Sequence, residues 1–296
     1  MTKHILATAV ALSAVQLPPA QQPPATPQQP TEVVTVISSE GNLPPLLAVP
    51  DFIPLSTDAE TVAIAKIAGQ VLWDDLHYEE EFRFIPRDVY STIPKATSLT
   101  DIPFDRWQEL NADGLVVGTV QKTGNQLRVE VSVFNVRAHH SVFGKVYSGS
   151  SANPRSYSHV AADEIYQSQR ALKGVAESKL TFVSDRDGER MTGTVEKRDV
   201  KEIYISDYDG DRQTRVTVGR TLNVFPRWSP NGRSIAYTSY RRGAPNIFVS
   251  NIYEATMEEV TKGNNENWLP AWSPDGTRIC FASPREGKGY TNLYVV

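Results

Sequence analysis

Apolar and polar positions along this chain follow two different rhythms. In residues 32–174 helical and strand periods alternate. Ile64, Ile67, Ala68, Val71 and Leu72 recur at helical spacing up to about Leu76, and Thr57 with Glu60 fits a capping box ahead of them. Phe104, Trp107 and Leu110 predict a short helix that ends near Asp113-Gly114. Tyr157, Ala161, Ile165, Ser168 and Leu172 predict a last helix over about 155–172. Strands are expected at 33–37, 46–49, 82–85, 115–121, 127–136 and 141–147. In the fifth of these, Val129, Val131 and Val133 alternate with Glu130 and Ser132, so one face is buried, and Gly124-Asn125 supplies the hairpin turn before it. Helices on one face of a small sheet predict an α+β domain.

Beyond about residue 176 the helical period is lost and a repeat takes over. Phe225-Pro-Arg-Trp-Ser-Pro-Asn-Gly-Arg233 returns as Leu269-Pro-Ala-Trp-Ser-Pro-Asp-Gly-Thr277, with Trp272 standing 44 residues after Trp228. Ser at the first turn position, Pro at the second and Gly at the fourth suit a type I turn. Each copy continues into a strand-like run (234–239, 278–283), an Arg-x-Gly corner (Arg241 to Gly243, Arg285 to Gly287) and a second strand (247–250, 293–295). An earlier copy reads 180–184, Arg186, Gly188 and 203–206, lengthened by a charged insert around 189–201. A period in the forties with turn signals between short strands predicts propeller blades, each of which must stack on a neighbour to bury its faces. About two and a half blades are present, so the fold class expected is an α+β domain followed by an all-β, incomplete β-propeller. Such a set leaves residues 293–296 along an unpaired edge, and further blades encoded beyond residue 296, or an assembly of chains, are expected to complete the ring.

Composition narrows the functional classes. The chain has 296 residues, 40% hydrophobic and 22% charged, with a net charge of −4 and no dense Lys/Arg run, which argues against nucleic acid as a partner. Lys3, an apolar run over 5–15 and small residues such as Ala14 and Ala20 read as a secretory signal (1–20), with a buried N-terminal strand or helix as the other reading; eleven apolar residues are too few to span a bilayer, which takes ~20. No direct membrane insertion of the mature chain is therefore expected. Residues 21–31 form a Pro/Gln-rich tether, too polar to bury. Domain limits follow as 32–175 and 176–296.

Candidate chemistry is sparse. Asp207-Tyr-Asp-Gly-Asp211 superficially resembles a calcium loop, but Arg212 and Val218 hold the places where the EF-hand pattern needs Gly and Glu, so a Gly-bearing turn is the better reading. His4, His77, His139, His140 and His159 show no ligand spacing. His139 and His140 would point to opposite faces of a strand, and His159 is read as a packing or hydrogen-bonding group. Asp74-Asp75 and Glu79-Glu80-Glu81 read as a solvated face. The single cysteine, Cys280, reads as a packed small hydrophobe rather than a reactive thiol. No nucleophile elbow, phosphate loop or dinucleotide fingerprint occurs, and neither a catalytic residue, a cofactor nor a metal is assigned.

Taken in order, these segments resemble the TolB family of periplasmic propeller proteins of the Tol–Pal envelope system. Glu32-Val-Val-Thr-Val-Ile37, Leu47-Ala-Val-Pro-Asp-Phe52, Trp107 with Ala112-Asp-Gly-Leu-Val-Val-Gly118, Ser158-His-Val-Ala-Ala-Asp-Glu-Ile-Tyr166 and Ile205-Ser-Asp-Tyr-Asp-Gly210 carry the resemblance, together with the Trp-Ser-Pro-(Asp/Asn)-Gly turns. The family has six blades and places its N-terminal strand directly after the signal; here a tether intervenes and the chain stops in its third repeat, as a C-terminally truncated member would. The resemblance implies a non-enzymatic periplasmic scaffold for envelope integrity and cell division. It would bind a Pal-type peptidoglycan-associated lipoprotein through the propeller. A TolA-type inner-membrane protein would bind through Glu32, Val33, Val34, Thr35, Val36 and Ile37. The alternatives are the propeller module of a prolyl-oligopeptidase-like serine peptidase without its hydrolase domain, and a sensor or sugar-binding propeller.

Overall fold

The computed structural model describes residues 36–39, 43–191, 199–263, 265–285 and 290–296. Chain order in the first part is β1 (Leu46–Ala48), β2 (Ile53–Pro54), α1 (Ala59–Tyr78), β3 (Arg83–Phe84), α2 (Phe104–Glu109), β4 (Gly114–Thr123), β5 (Gln126–Asn135), β6 (His140–Ser150) and α3 (Arg155–Arg170). The sheet runs β3-β1-β4-β5-β6, with β2 also on β4; contacts to β1 and β2 are parallel and the β4-β5-β6 meander is antiparallel. Gly124 opens the β4–β5 turn with φ +58°, the first-position glycine of a two-residue hairpin loop.

One expectation needs correcting. Helices cover both faces of this sheet. Val116 and Val120 of β4 pack under α1 and α3 with Leu72, Leu76 and Ile165, while Leu115 and Val117 point the other way onto Trp107 of α2, Ile93 and Ile102. The two-residue period of β4 supplies apolar side chains to both sides, so the strand is buried throughout its first seven residues. Gly118 is needed where Phe52 crosses β4, because a Cβ there would lie 2.3 Å from the ring.

Helix ends also differ in detail. Asp58, not Thr57, caps α1, accepting the Thr61 backbone N–H at 2.9 Å. A carboxylate is favoured there because it meets both the free amides and the positive end of the helix. The Ser56 hydroxyl and the Thr61 amide hold its carboxyl well below the usual range. At the other end α3 stops at Arg170 because Ala171 turns left-handed, φ 55°.

Beyond α3 every element is a strand. The first sheet is β7 (Lys179–Ser184), β8 (Glu202–Asp207) and β9 (Thr214–Arg215). The second is β10 (Asn223–Trp228), β11 (Ser234–Ser239), β12 (Asn246–Asn251) and β13 (Thr256–Glu259). The third is β14 (Trp268–Trp272), β15 (Ile279–Ser283) and β16 (Asn292–Val295). Strands within each sheet are antiparallel, and β10 touches both β7 and β14, so the first strands of successive sheets lie side by side. This is a row of stacked blades that does not close among the described residues. The predicted turns form as expected: the Gly232 and Gly276 N–H groups donate to the Ser229 and Ser273 carbonyls at 2.9 Å, and both serine hydroxyls close the loop on the strand that follows.

The 44-residue period reaches the buried polar groups too. Thr217 Oγ1 accepts the Ile203 N–H at 2.9 Å, and Thr261 Oγ1 accepts the Ile247 N–H at 2.9 Å. Asn223 donates to buried Glu202 at 2.8 Å; its counterpart Asn267 donates to Asn246, also at 2.8 Å. Each blade thus satisfies its neighbour's polar atoms by one scheme, in which Glu202 and Asn246 are interchangeable acceptors. The Arg-x-Gly corners place a guanidinium over aromatic rings: Arg186 lies 4.8 Å from the Tyr204 centroid and Arg285 4.9 Å from that of Phe281.

Candidate partner-binding site

Of the six residues expected to contact an inner-membrane partner, Val36 and Ile37 are described; Glu32, Val33, Val34 and Thr35 lie outside the described residues, as do the expected signal and tether. Neither Val36 nor Ile37 is in a strand, which corrects the expectation at these two positions. Ile37 is 4% exposed and Val36 47%. The Ile37 side chain fills the space above Gly114, where a Cβ would come within 2.4 Å of its Cδ1, and the Ile37 N–H donates to Gln169 Oε1 of α3 at 2.9 Å. A single buried anchor with exposed chain beside it is a shallow attachment. The sequence signal for the Ile37 seat was the glycine at the start of β4, whose purpose only the packing reveals.

A second surface runs along the inner strands. Phe225 and Leu269, equivalent in the repeat, both adopt left-handed backbone (φ 56° and 55°) within a bulge where pairing to the next strand shifts register. Bulky residues rarely occupy that region, and strain of this sort is retained where it re-aims a side chain. Both side chains stay open, 44% and 52% exposed. Trp272 Nε1 donates to the Arg227 carbonyl at 3.1 Å, tying the third blade to the second beside this row. A cavity of about 520 Å³ opens between the first two blades, lined among others by Ile205, Val216, Tyr237, Arg241 and Met257.

The third feature joins α3 to the first blade. Asp75 does not belong to a solvated face: it is buried and accepts from the Tyr208 hydroxyl at 2.5 Å, while its other oxygen lies 2.8 Å from His159 Nδ1. Burial first, and then this bond to a carboxylate, raises the Tyr208 phenol above its ordinary range. Glu79 and Glu81, also expected to be solvated, bind the Val175 N–H and Arg170. Arg155 pairs with Asp209 and, at 2.8 Å, with Asp211; Lys179 pairs with Asp207. Burial opposes ionisation of Asp209, yet the Asp211 amide and Arg155 bring its carboxyl below the ordinary value. The 207–211 stretch is a turn, with the Gly210 N–H donating to the Asp207 carbonyl, as expected. His159 is the hydrogen-bonding group anticipated, whereas His139 sits at positive φ in a turn and stacks on Phe104, 4.7 Å between centroids. Asp75 and His159, 84 residues apart, carry no local signal that they meet.

Comparisons with known proteins agree with this arrangement. The family profile described as the TolB amino-terminal domain matches residues 33–142, and the TolB beta propeller domain profile matches 166–296. The Tol-Pal system protein TolB of Desulfosudis oleivorans is 29% identical over 197 residues, covering 66% of this chain and 42% of that protein. The one from a Ruegeria species is 31% identical over 207 residues, covering 68% and 44%. The crystal structure of TolB from Acinetobacter baumannii superposes with a TM-score of 0.67 at 20% identity, over 86% of this chain and 58% of that one; at that identity it speaks for the fold. The chain spans less than half the length of these two relatives.

Proposed function

The chain belongs to the TolB family, and from that premise we propose that it acts as a non-enzymatic periplasmic scaffold of a Tol–Pal system. In this reading the N-terminal segment Glu32–Ile37 contacts a TolA-type inner-membrane protein and the blades contact a Pal-type lipoprotein, linking envelope layers for integrity and division. The observation that carries it is the seat of Ile37. One buried side chain and one backbone bond to Gln169 hold residues that are otherwise open, so the segment can leave its own domain and pair elsewhere at modest cost. The exposed, strained pair Phe225 and Leu269 supports a contact along the inner strands, since apolar side chains held open by the backbone suit a partner's apolar surface. Among the described residues no helix is long and apolar enough to cross a membrane, which fits a partner-bound location rather than a spanning one.

The test is a pull-down of purified TolA-type and Pal-type proteins by the intact chain and by a chain lacking 32–37. The deletion is expected to reduce TolA-type capture at least tenfold and leave Pal-type capture and the melting of the blades unchanged. Equal TolA-type capture by both chains would refute the assignment of the segment.

A further inference from the structure

We propose that His159, Asp207 and Asp209 form a divalent-cation site at the junction of α3 with the first blade. One ligand atom from each of the three lies within 4.8 Å of the others. Two of the three atoms are buried and unsatisfied: His159 and Asp207 are each 3% exposed, and His159 Nε2 and Asp207 Oδ2 have no hydrogen-bond partner. Unpartnered polar atoms are costly in a folded interior, and two of them facing one point call for a ligand there.

The chemistry around the point selects a cation. The Asp75 carboxylate can only accept, so His159 donates its Nδ1–H at 2.8 Å and turns the Nε2 lone pair toward Asp209, whose Oδ2 is 3.8 Å away, too far for a hydrogen bond. A carboxylate behind a histidine fixes its tautomer and raises its basicity, which is how metal-ligating imidazoles are held. Tyr208 in turn donates to Asp75 and steadies it. Lys179 occupies Asp207 Oδ1 and leaves Oδ2 free, while Arg155 covers the outer side of Asp209. Asp75, Asp207, Asp209 and Asp211 thus face only Arg155 and Lys179, an excess of two negative charges that one divalent ion neutralises. One imidazole nitrogen and two carboxylate oxygens suit Zn²⁺, at bond lengths of about 2.0–2.2 Å, after the side chains draw in by roughly an ångström. The 207–211 turn fails as a calcium loop because its partner is not in the loop at all. It is His159, on a helix of the preceding domain. An ion here would tie that helix to the turn after β8 and stiffen the join between domain and blades.

The experiment titrates ZnCl₂ into the EDTA-treated full chain by calorimetry, with melting followed in parallel. Wild type is expected to take one ion per chain with micromolar affinity and to melt higher with it. Asp209→Asn keeps its bond to the Asp211 amide and so its fold; it should bind at least tenfold more weakly, as should His159→Gln where circular dichroism shows it folded. His140→Gln, a surface control, should bind as wild type does. The absence of saturable binding by wild type, or equal binding by Asp209→Asn, would overturn the site.

Discussion

Single side chains close the blade turns, and one of them makes a pH-dependent contribution. Asp275 accepts from the Ser273 hydroxyl and from the Thr277 backbone and hydroxyl, which lowers its carboxyl from 3.8 to about 2, the serine bond contributing most. A group whose folded pKa is depressed contributes stability above its unfolded pKa and loses it as pH falls through the folded one. The Tm of wild type should therefore fall more steeply between about pH 4 and 2 than that of Asp275→Asn; identical slopes in a calorimetric pH series would refute this. At Gly118 the expectation is steric. A methyl group there meets the Phe52 ring at 2.3 Å, between β4 and the segment before β2, so Gly118→Ala should cost about 1–3 kcal/mol in urea unfolding.

Elements in this chain are held to one another by repeated polar schemes as much as by apolar contact. Asn246 at the start of β12 accepts from Thr261 at 3.2 Å and from Asn267, and it is 1% exposed. Asn246→Ala strands both donors, a loss of about 1–3 kcal/mol each. Asn246→Asp should be better tolerated than alanine, because Glu202 already plays the same part as an acceptor one blade earlier. Equal destabilisation by the two substitutions, measured by chemical unfolding, would show that the blades do not share one scheme. The bulge in β10 and β14 belongs to this scale as well: a backbone register shift, not a side chain, is what holds Phe225 and Leu269 open.

For the whole molecule the outstanding surface is the outer strand of the third blade. β16 pairs with β15 on one side, and Leu293 and Val295 are 75% and 60% exposed. An open edge carrying apolar side chains is a template for further pairing. The 296-residue chain is expected to scatter light as an associating species at micromolar concentration, and Leu293→Lys with Val295→Lys to reduce that association without lowering Tm. A monomer indifferent to these changes would contradict it.

Much of this architecture was legible in the sequence because its signals are local. The Ser-Pro-Asn-Gly and Ser-Pro-Asp-Gly turns, the 44-residue period and the helical spacing from Ile64 to Leu76 depend on neighbours a few residues away or on exact repetition, and they placed the blades and α1 to within a few residues. What the sequence could not reveal depends on groups brought together from far apart. The placement of α2 on the opposite face of the sheet follows from β4 being apolar on both sides, which a run of valines shows only once its neighbours are known. The burial of Asp75 against His159 and Tyr208, and the convergence of His159 with Asp207 and Asp209, arise because α1, α3 and the turn after β8 meet in space. A charged residue is read as solvated until a partner is found for it, and those partners lie 84 and 133 residues along the chain.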